Sequence, residues 1–422
     1  MTNKKSDMKK KQQNDQPIVT DVVAAGMLEG LGDEFKDSIY GLEFSSANVA
    51  QYVDTGSTLL NLIISNKMNG GIPVGRITSI AGGQSSGKSL LVAHILANAQ
   101  KAGGVGVLIE SENSSSKEFM TAVGVDIDNL IYVQMKTVEE TFNLIEKLIA
   151  RVRTKYPDKL LVICIDSMTA LSTKNEDSED YEQQGYGMEK AKLLSRAFRK
   201  ITKDIGDMKV AFIFTNQLRQ RVGATAFQDQ FLIPGGQAIL YYPSIIIRLN
   251  KIGQIKGKDG GIDRILGVNT KAKIEKNRLG PPFRTCTFPI YFDRGIDNNE
   301  SILSELLDIK WIHKEKGAQL MYIDINEIAD KTEEIAEIYT PDMIAEIFEA
   351  MSQCSGVTHE KRVSTSSDFC IKFKKSSWPN LLQDENFKKF IVQALGSRMQ
   401  LKYMRQGIED IRIESDSYEE GE

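Results

Sequence analysis

Eight consecutive residues carry the most legible chemistry in this chain: Gly82-Gly83-Gln84-Ser85-Ser86-Gly87-Lys88-Ser89, with the spacing G-x-x-x-x-G-K-S. Glycines let backbone N–H groups turn inward around an anion, and a helix that starts where the loop ends adds a favourable dipole. Lys88 supplies a point charge, and the Ser89 hydroxyl is of the type that ligates Mg2+ beside a bound phosphate. Such a loop needs a strand before it and a helix behind it. Residues 76–81 alternate toward a buried strand, and Leu90, Leu91, Ala93, His94, Ile95, Leu96 and Ala97 continue as a largely apolar helix. All eight loop residues are therefore candidate contacts for nucleotide phosphates.

Acids and amides at strand ends form a second group. The apolar run 105–109 ends in Glu110-Ser111-Glu112, and the run 160–165 ends in Asp166-Ser167. The latter is a Walker B arrangement, in which Asp166 would complete an Mg2+ shell begun by Ser89. Carboxylates placed at the C-terminal ends of strands lie where α/β sheets bind ligands. A further apolar run, 209–215, ends in Asn216-Gln217 and leads into a long stretch reaching Gly235-Gly236. Loops of that length at a strand end are functional or disordered.

The elements that must position these groups alternate in type. Helical periodicity near 116–123 and 138–151 interleaves with strand-like runs at 130–134 and 160–165, the order of a parallel, doubly covered sheet. A helix from residue 57 is expected to end near Gly70-Gly71, with Pro73 turning into the phosphate-loop strand. Residues 175–187 are acidic and polar, as in an exposed loop, and the helix after them puts Leu194, Phe198, Ile201 and Ile205 on one face. Residues 248–284 hold ten basic side chains against three acidic ones, and their rhythm predicts an antiparallel extension of the sheet turning at 257–261.

The 422 residues are 41% hydrophobic and 26% charged, an ordinary globular composition with room for about two to three domains. The formal net charge of −4 means that any nucleic-acid surface must be local, and residues 248–284 are the place for it. Cys164, Cys286, Cys354 and Cys370 lack C-x-x-C spacing, and no apolar run reaches membrane-spanning length. The N-terminus is rich in Lys, Gln and Asn without an apolar signal core, so a cytoplasmic location and no membrane partner are expected. His94, His313 and His359 have no metal-ligand spacing. The chain is expected to divide into a basic arm and short helix without a core of its own (1–50), a phosphate-loop core (51–296), a C-terminal domain (297–408) and a tail of net charge −6 (409–422).

Several blocks besides the phosphate loop resemble the RecA family of DNA strand-exchange proteins, in order and in spacing. They are Thr55-Gly56-Ser57, Gly71-Ile72-Pro73-Val74-Gly75-Arg76-Ile77, Val123-Gly124-Val125-Asp126-Ile127-Asp128-Asn129-Leu130, Phe214-Thr215-Asn216-Gln217-Leu218-Arg219, Gly235-Gly236-Gln237-Ala238 and Lys276-Asn277-Arg278-Leu279-Gly280-Pro281-Pro282-Phe283. Near the C-terminus, Ser377-Trp378-Pro379-Asn380-Leu381-Leu382 followed by Phe387 is similar to the T4-type phage recombinases.

The resemblance implies a RecA-like P-loop core of α/β class with a mostly parallel central sheet, an N-terminal oligomerisation segment and a small α+β C-terminal domain. It implies that Glu112 activates the attacking water, that Gln217 senses the γ-phosphate, and that Lys276 and Arg278 reach a neighbouring protomer's nucleotide. Phe119 falls where the family stacks an aromatic ring on adenine, although Ser116 stands where many members have an acid. Two DNA-binding loops fall near 179–190 and 219–235, with Tyr186, Met188, Arg219, Arg221, Val222, Gly235 and Gly236 as candidate contacts. The function implied is ATP- and Mg2+-dependent strand exchange by a helical homo-oligomer on single-stranded and double-stranded DNA. The C-terminal region is the candidate contact for loading or single-strand-binding proteins. Two alternatives stay open: a hexameric DNA helicase or translocase on the same core, and an ATP-gated regulatory scaffold without DNA binding.

Overall fold

The computed structural model describes residues 49–67, 69–112, 115–178, 186–221, 231–259, 262–315, 320–359 and 370–400. The N-terminal arm before residue 49, Val222 and the acidic tail lie outside the described residues, as does the side chain of Tyr186. The chain forms two compact units that meet in sequence at 314/315.

The first unit is built on a nine-stranded sheet. Its strands are β3 (Ile77–Gly82), β4 (Val105–Glu110), β5 (Leu130–Gln134), β6 (Leu161–Asp166), β7 (Val210–Gln217), β10 (Ile245–Asp259), β11 (Ile262–Asn277), β12 (Thr285–Tyr291) and β13 (Gly295–Ile296). In space they run β13-β12-β11-β10-β3-β7-β6-β4-β5. The six from β10 to β5 are parallel, and β11 to β13 extend them antiparallel. Every residue of β3 and of β6 is buried: β6 reads as a continuous apolar run, and the alternation read in 76–81 is of apolar residues with small ones that are buried as well.

Helices cover the sheet: α1 (Thr58–Ser65), α2 (Lys88–Lys101), α3 (Lys117–Val123), α4 (Val138–Lys155), the short α5 (Lys174–Ser178), α6 (Tyr186–Asp207), α7 (Gln237–Tyr241) and α8 (Asn298–Asp308). In α4 the Thr137 hydroxyl caps the Glu140 N–H, with acids in the first turn and bases in the last, as the helix dipole favours. The apolar face of α6 buries Leu194, Phe198, Ile201 and Ile205. Phe198 packs edge-on to Phe142 of α4 at 5.5 Å and meets Phe214 of β7 at 5.4 Å, tying two helices to the sheet.

Two local expectations differ from the structure. Helix α1 stops at Ser65 because Asn66 turns left-handed (φ 55°) and its N–H closes on Leu62 O. Pro73 belongs to a short strand, β2 (Ile72–Pro73), which pairs with β1 (Tyr52–Val53). Gly71 permits that pairing, since a Cβ there would lie 2.2 Å from Val53 O. Helix α8 continues the first unit: Ser301 Oγ donates to Thr287 O of β12, and the Asn298 side chain accepts from Thr58 N of α1. A short strand β14 (Ile312–Lys314) ends this unit.

The second unit holds the antiparallel strands β15 (Leu320–Asp324), β16 (Val357–His359) and β17 (Cys370–Lys374), in the order β15-β17-β16. Among its helices are α9 (Ile325–Asp330), α10 (Glu333–Ile338), α11 (Pro341–Ser352), α12 (Trp378–Leu381) and α13 (Glu385–Met399). Trp378, 1% exposed, stacks on Phe373 at 5.6 Å and meets Phe387 edge-on at 6.1 Å. The Ser377-to-Leu382 block thus supplies this unit's core. No helix among the described residues is long and apolar enough to cross a membrane.

Candidate active site

The phosphate loop leaves the C-terminal end of β3 and closes at the first turn of α2. Its backbone requires left-handed geometry at two points, Ser85 (φ 56°) and Gly87 (φ 95°), and Gly87 is the N-cap of α2. A Cβ on Gly82 would meet Ser86 Oγ at 2.3 Å and Leu249 O at 2.8 Å, whereas one on Gly83 would meet nothing within 4 Å. The loop is braced from behind: Ser86 Oγ donates to Gly83 O (2.9 Å), and Thr270 Oγ1 of β11 donates to Ser86 O (3.2 Å). Lys88 Nζ donates to Gly82 O (3.1 Å) and Gly83 O (2.8 Å), so its charge already sits inside the loop. Burial lowers the Lys88 pKa, while Asp166 and Glu112 pull it back up.

Parallel pairing brings the strand-end groups to the same edge. Glu110 of β4 is in register with Asp166 of β6, and Gly82 of β3 with Gln217 of β7. Asp166, 7% exposed, accepts a short hydrogen bond from the Thr215 hydroxyl. Beside it runs a cis Asp166-Ser167 peptide. Ser167 N donates to Ser111 Oγ (2.9 Å), and Ser111 Oγ donates to Ser167 O (2.8 Å), locking the β4 and β6 ends together.

Glu112 is thereby aimed at Gln217. Its Oε1 accepts from Ser167 Oγ at 2.5 Å and from Gln217 Nε2 at 3.0 Å. The residues implied as water activator and γ-phosphate sensor touch each other, and the Glu112 charge lies close enough to Lys88 to oppose the lowering of its pKa. The donor set suits a phosphate-bound magnesium ion: a hydroxyl at Ser89, a carboxylate at Asp166, and coordination otherwise left to phosphate and water. Among the described residues there is no cluster of three or more His, Cys, Asp or Glu that could hold a metal by itself.

Several contributors owe their place to packing rather than to a motif. Glu110, fully buried, accepts from Ser115 N (2.7 Å) and, in a short bond, from the Tyr132 hydroxyl, and so fixes the two ends of the segment bearing Glu112. The Tyr132 pKa is raised, first by burial and then by that hydrogen bond. Phe119 is half-buried on α3, whose N-cap is Ser116: the Ser116 hydroxyl accepts from Phe119 N at 3.0 Å. A serine at that position is therefore explained by capping.

Lys276 and Arg278 lie elsewhere. Lys276 pairs with Ile246 at the start of β10, and its Nζ donates to Leu240 O and Tyr241 O, both at 2.8 Å. Arg278 Nη2 also donates to Tyr241 O, at 3.1 Å. Burial, and then Arg278, push the Lys276 pKa down to about 8. Thr270, the β11 residue that touches the phosphate loop, is six positions away, or about 20 Å along an extended strand.

The DNA-loop candidates emerge from the edge that carries Gln217. Arg219 and Arg221 are exposed; Arg219 lies in β8 (Arg219–Gln220), which pairs with β9 (Phe231–Leu232). Gly235 (φ 115°) and Gly236 (φ 81°) turn the chain into α7, and a Cβ on Gly236 would meet Ala191 Cβ of α6 at 2.7 Å. Met188, at the start of α6, is 74% exposed. A cleft of about 310 Å³ between these stretches is lined by Thr169, Glu176, Lys190, Arg219 and Gly235 among others.

Comparison with known proteins agrees with this architecture. The model of the RecA N-terminal domain matches residues 27–297. Protein RecA of Clostridium novyi is 38% identical over 272 residues, 64% of this chain and 73% of that protein. Protein RecA of Rippkaea orientalis is 34% identical over 288 residues, 68% of this chain and 78% of the relative, and that of Chlamydia trachomatis is 36% identical over 280 residues, 66% and 75% respectively. With a phosphate loop, a strand-end acid, an adjoining glutamine and a domain match over residues 27–297 in one chain, the protein belongs to the RecA family.

Proposed function

We propose that this RecA-family recombination and repair protein binds ATP with Mg2+ at the Lys88–Glu112–Gln217 site, hydrolyses it in response to single-stranded DNA, and works as a head-to-tail filament. The carrying observation is the contact of Gln217 Nε2 with Glu112 Oε1, made by the last residue of β7 two positions before Arg219. One residue thus meets both the catalytic carboxylate and the start of the second DNA-loop stretch. A change at the phosphate end has a direct covalent path into that stretch.

Within the site, Lys88 and the loop N–H groups bind the phosphates, and a Ser89–Asp166 metal ion would neutralise charge that develops during transfer. Glu112 accepts a proton from the attacking water, and Ser167 and Gln217 hold the carboxylate still for that step. The side chains of Lys276 and Arg278 donate to carbonyls of α7 and not to their own phosphate loop, which supports their acting on the next subunit's nucleotide. The basic 248–284 segment supports DNA as the partner against the overall negative charge.

Electron microscopy of the full chain with single-stranded DNA tests this reading. Regular helical filaments are expected with Mg2+ and a slowly hydrolysed ATP analogue, and compact or absent ones with ADP. Closed hexameric rings would overturn it in favour of a translocase, and absence of DNA binding at low salt would favour a regulatory scaffold.

A further inference from the structure

Gln217 is wired to a second place besides Glu112. Its backbone N–H donates to Thr169 Oγ1 at 3.1 Å, and the same hydroxyl donates to Asn216 Oδ1 at 3.1 Å. The backbone carbonyl of Thr169 in turn accepts from Lys190 Nζ at 2.8 Å. Lys190 stands on the first turns of α6, at the end of the first DNA-loop stretch, and Gln217 stands just before the second. A continuous path therefore runs Glu112–Gln217–Thr169–Lys190, crossing from the nucleotide edge to the root of the other loop.

The surroundings of Lys190 make this contact responsive. Its ammonium lines the cleft together with Glu176, just before the first loop stretch, and Arg219, at the start of the second. Burial lowers its pKa, Glu176 opposes that shift and Arg219 adds to it. A cation held beside another cation by one carbonyl bond is sensitive to small movements of that carbonyl. The path also contains a buried donor in want of a partner: Asn216 is fully buried, and its Nδ2 has no acceptor among the described residues. A half-satisfied polar network of this kind leaves room for a second arrangement in which the donor is paired.

We propose that Lys190, acting through the Thr169 carbonyl, is a positioning residue that transmits the state of Gln217 to the first DNA loop, so that both loops respond to nucleotide together. This rests on the functional reading above. It assigns Lys190 no direct role in binding phosphate or DNA.

The test is the ratio of single-stranded DNA affinities measured with an ATP analogue and with ADP, for the full chain and for Lys190→Met, Thr169→Val and the double variant. Coupling between sites commonly spans factors of about 5 to 150, and loss of one charged hydrogen bond in the path should cut it on the order of tenfold. In Lys190→Met the ratio should fall by about tenfold, the share carried by the second loop remaining, while the ADP-state affinity and the nucleotide affinity stay within about twofold of wild type. Thr169→Val should do the same, and the double variant should be no worse than either single, as expected for one path. Lys190→Arg, which keeps a donor, should restore part of the ratio.

Equal weakening in both nucleotide states, with a shallower salt dependence, would mark Lys190 as a plain phosphate contact and overturn the proposal. An unchanged ratio would also overturn it, as would additive losses in the double variant. A wild-type chain with no DNA affinity, or with none of the nucleotide dependence, would sink the functional reading itself. That result is distinguishable because it appears before any substitution is made.

Discussion

Glu112 is held by two donors on one oxygen, which separates its charge from its geometry. In Glu112→Gln the new amide carbonyl can still accept from Ser167 Oγ and Gln217 Nε2, so the loop should keep its shape while losing the proton acceptor. Nucleotide affinity should stay within about twofold, and turnover should fall by about 10² to 10⁴. Equilibrium binding alongside single-turnover hydrolysis separates the two, and a parallel loss of both would assign Glu112 a structural role. Of the site, the glycine loop, Lys88 and Asp166 were legible as motif, and Glu112 and Gln217 through family resemblance. Ser111, Ser167, Thr169, Thr215 and Tyr132 were not. Each is a common residue whose partner lies on another strand, and only the non-sequential order β7-β6-β4-β5 brings them together.

At the scale of elements, helix α2 is pinned at both faces of one histidine. His94 Nε2 accepts from Ile296 N at 2.9 Å, and its ring sits against Gly56 and Gly295, where any Cβ would approach to 3.0 and 2.3 Å. Burial, reinforced by Lys101, holds its pKa at about 4 against an ordinary 6.5. The unfolded chain therefore binds the proton first as pH falls. Stability is fully present above pH 6.5 and is lost progressively down to about pH 4, a term on the order of 3 kcal/mol. Denaturant titrations from pH 7 to 4 should show that slope, and His94→Gln should flatten it; an equal slope in both chains would remove His94 as its source.

The glycines of the phosphate loop differ in the same structural terms. Gly87→Ala puts a Cβ at φ 95° and 2.4 Å from Ile290 Cδ1, so it should lower stability by about 1 to 3 kcal/mol. Gly83→Ala meets open space and should leave Tm nearly unchanged. Thermal melts of the two variants check the contrast. Apolar patterning located the alternating strands and helices well because the helices bury a regular stripe and the central strands are buried almost throughout. It carried α1 too far because one left-handed Asn66 ends it, and it took Pro73 for a turn because the two-residue pairing of β1 with β2 has no periodicity to detect.

For the whole molecule, direction is the informative quantity. The phosphate loop, Glu112 and Gln217 share one edge of the sheet, while Lys276 and Arg278 lie toward the opposite ends of the same strands, held on the carbonyls of α7. A pocket on one side and two cations on another is the arrangement that the proposed head-to-tail assembly requires, each neighbour bringing its cations to the other's pocket. The basic ribbon of β10 and β11 was visible as a charge reversal in a chain of net charge −4. That Lys276 ends on the carbonyls of α7 and not in the phosphate loop was not, since it depends on a register that pairs Leu249 with Gly82 and Ile246 with Lys276.

Mixing two dead variants tests this shared site most directly. Lys88→Ala and Lys276→Ala should each lack DNA-stimulated hydrolysis, because every interface then misses one half. In a random equimolar mixture, a pocket from a Lys276→Ala subunit beside a cation from a Lys88→Ala subunit is complete, and about a quarter of the sites should recover. Labelled subunits verify that the two variants co-assemble on single-stranded DNA. Recovery to about a quarter of wild-type turnover is the predicted result; a co-assembled mixture that stays inactive would contradict a site shared between protomers.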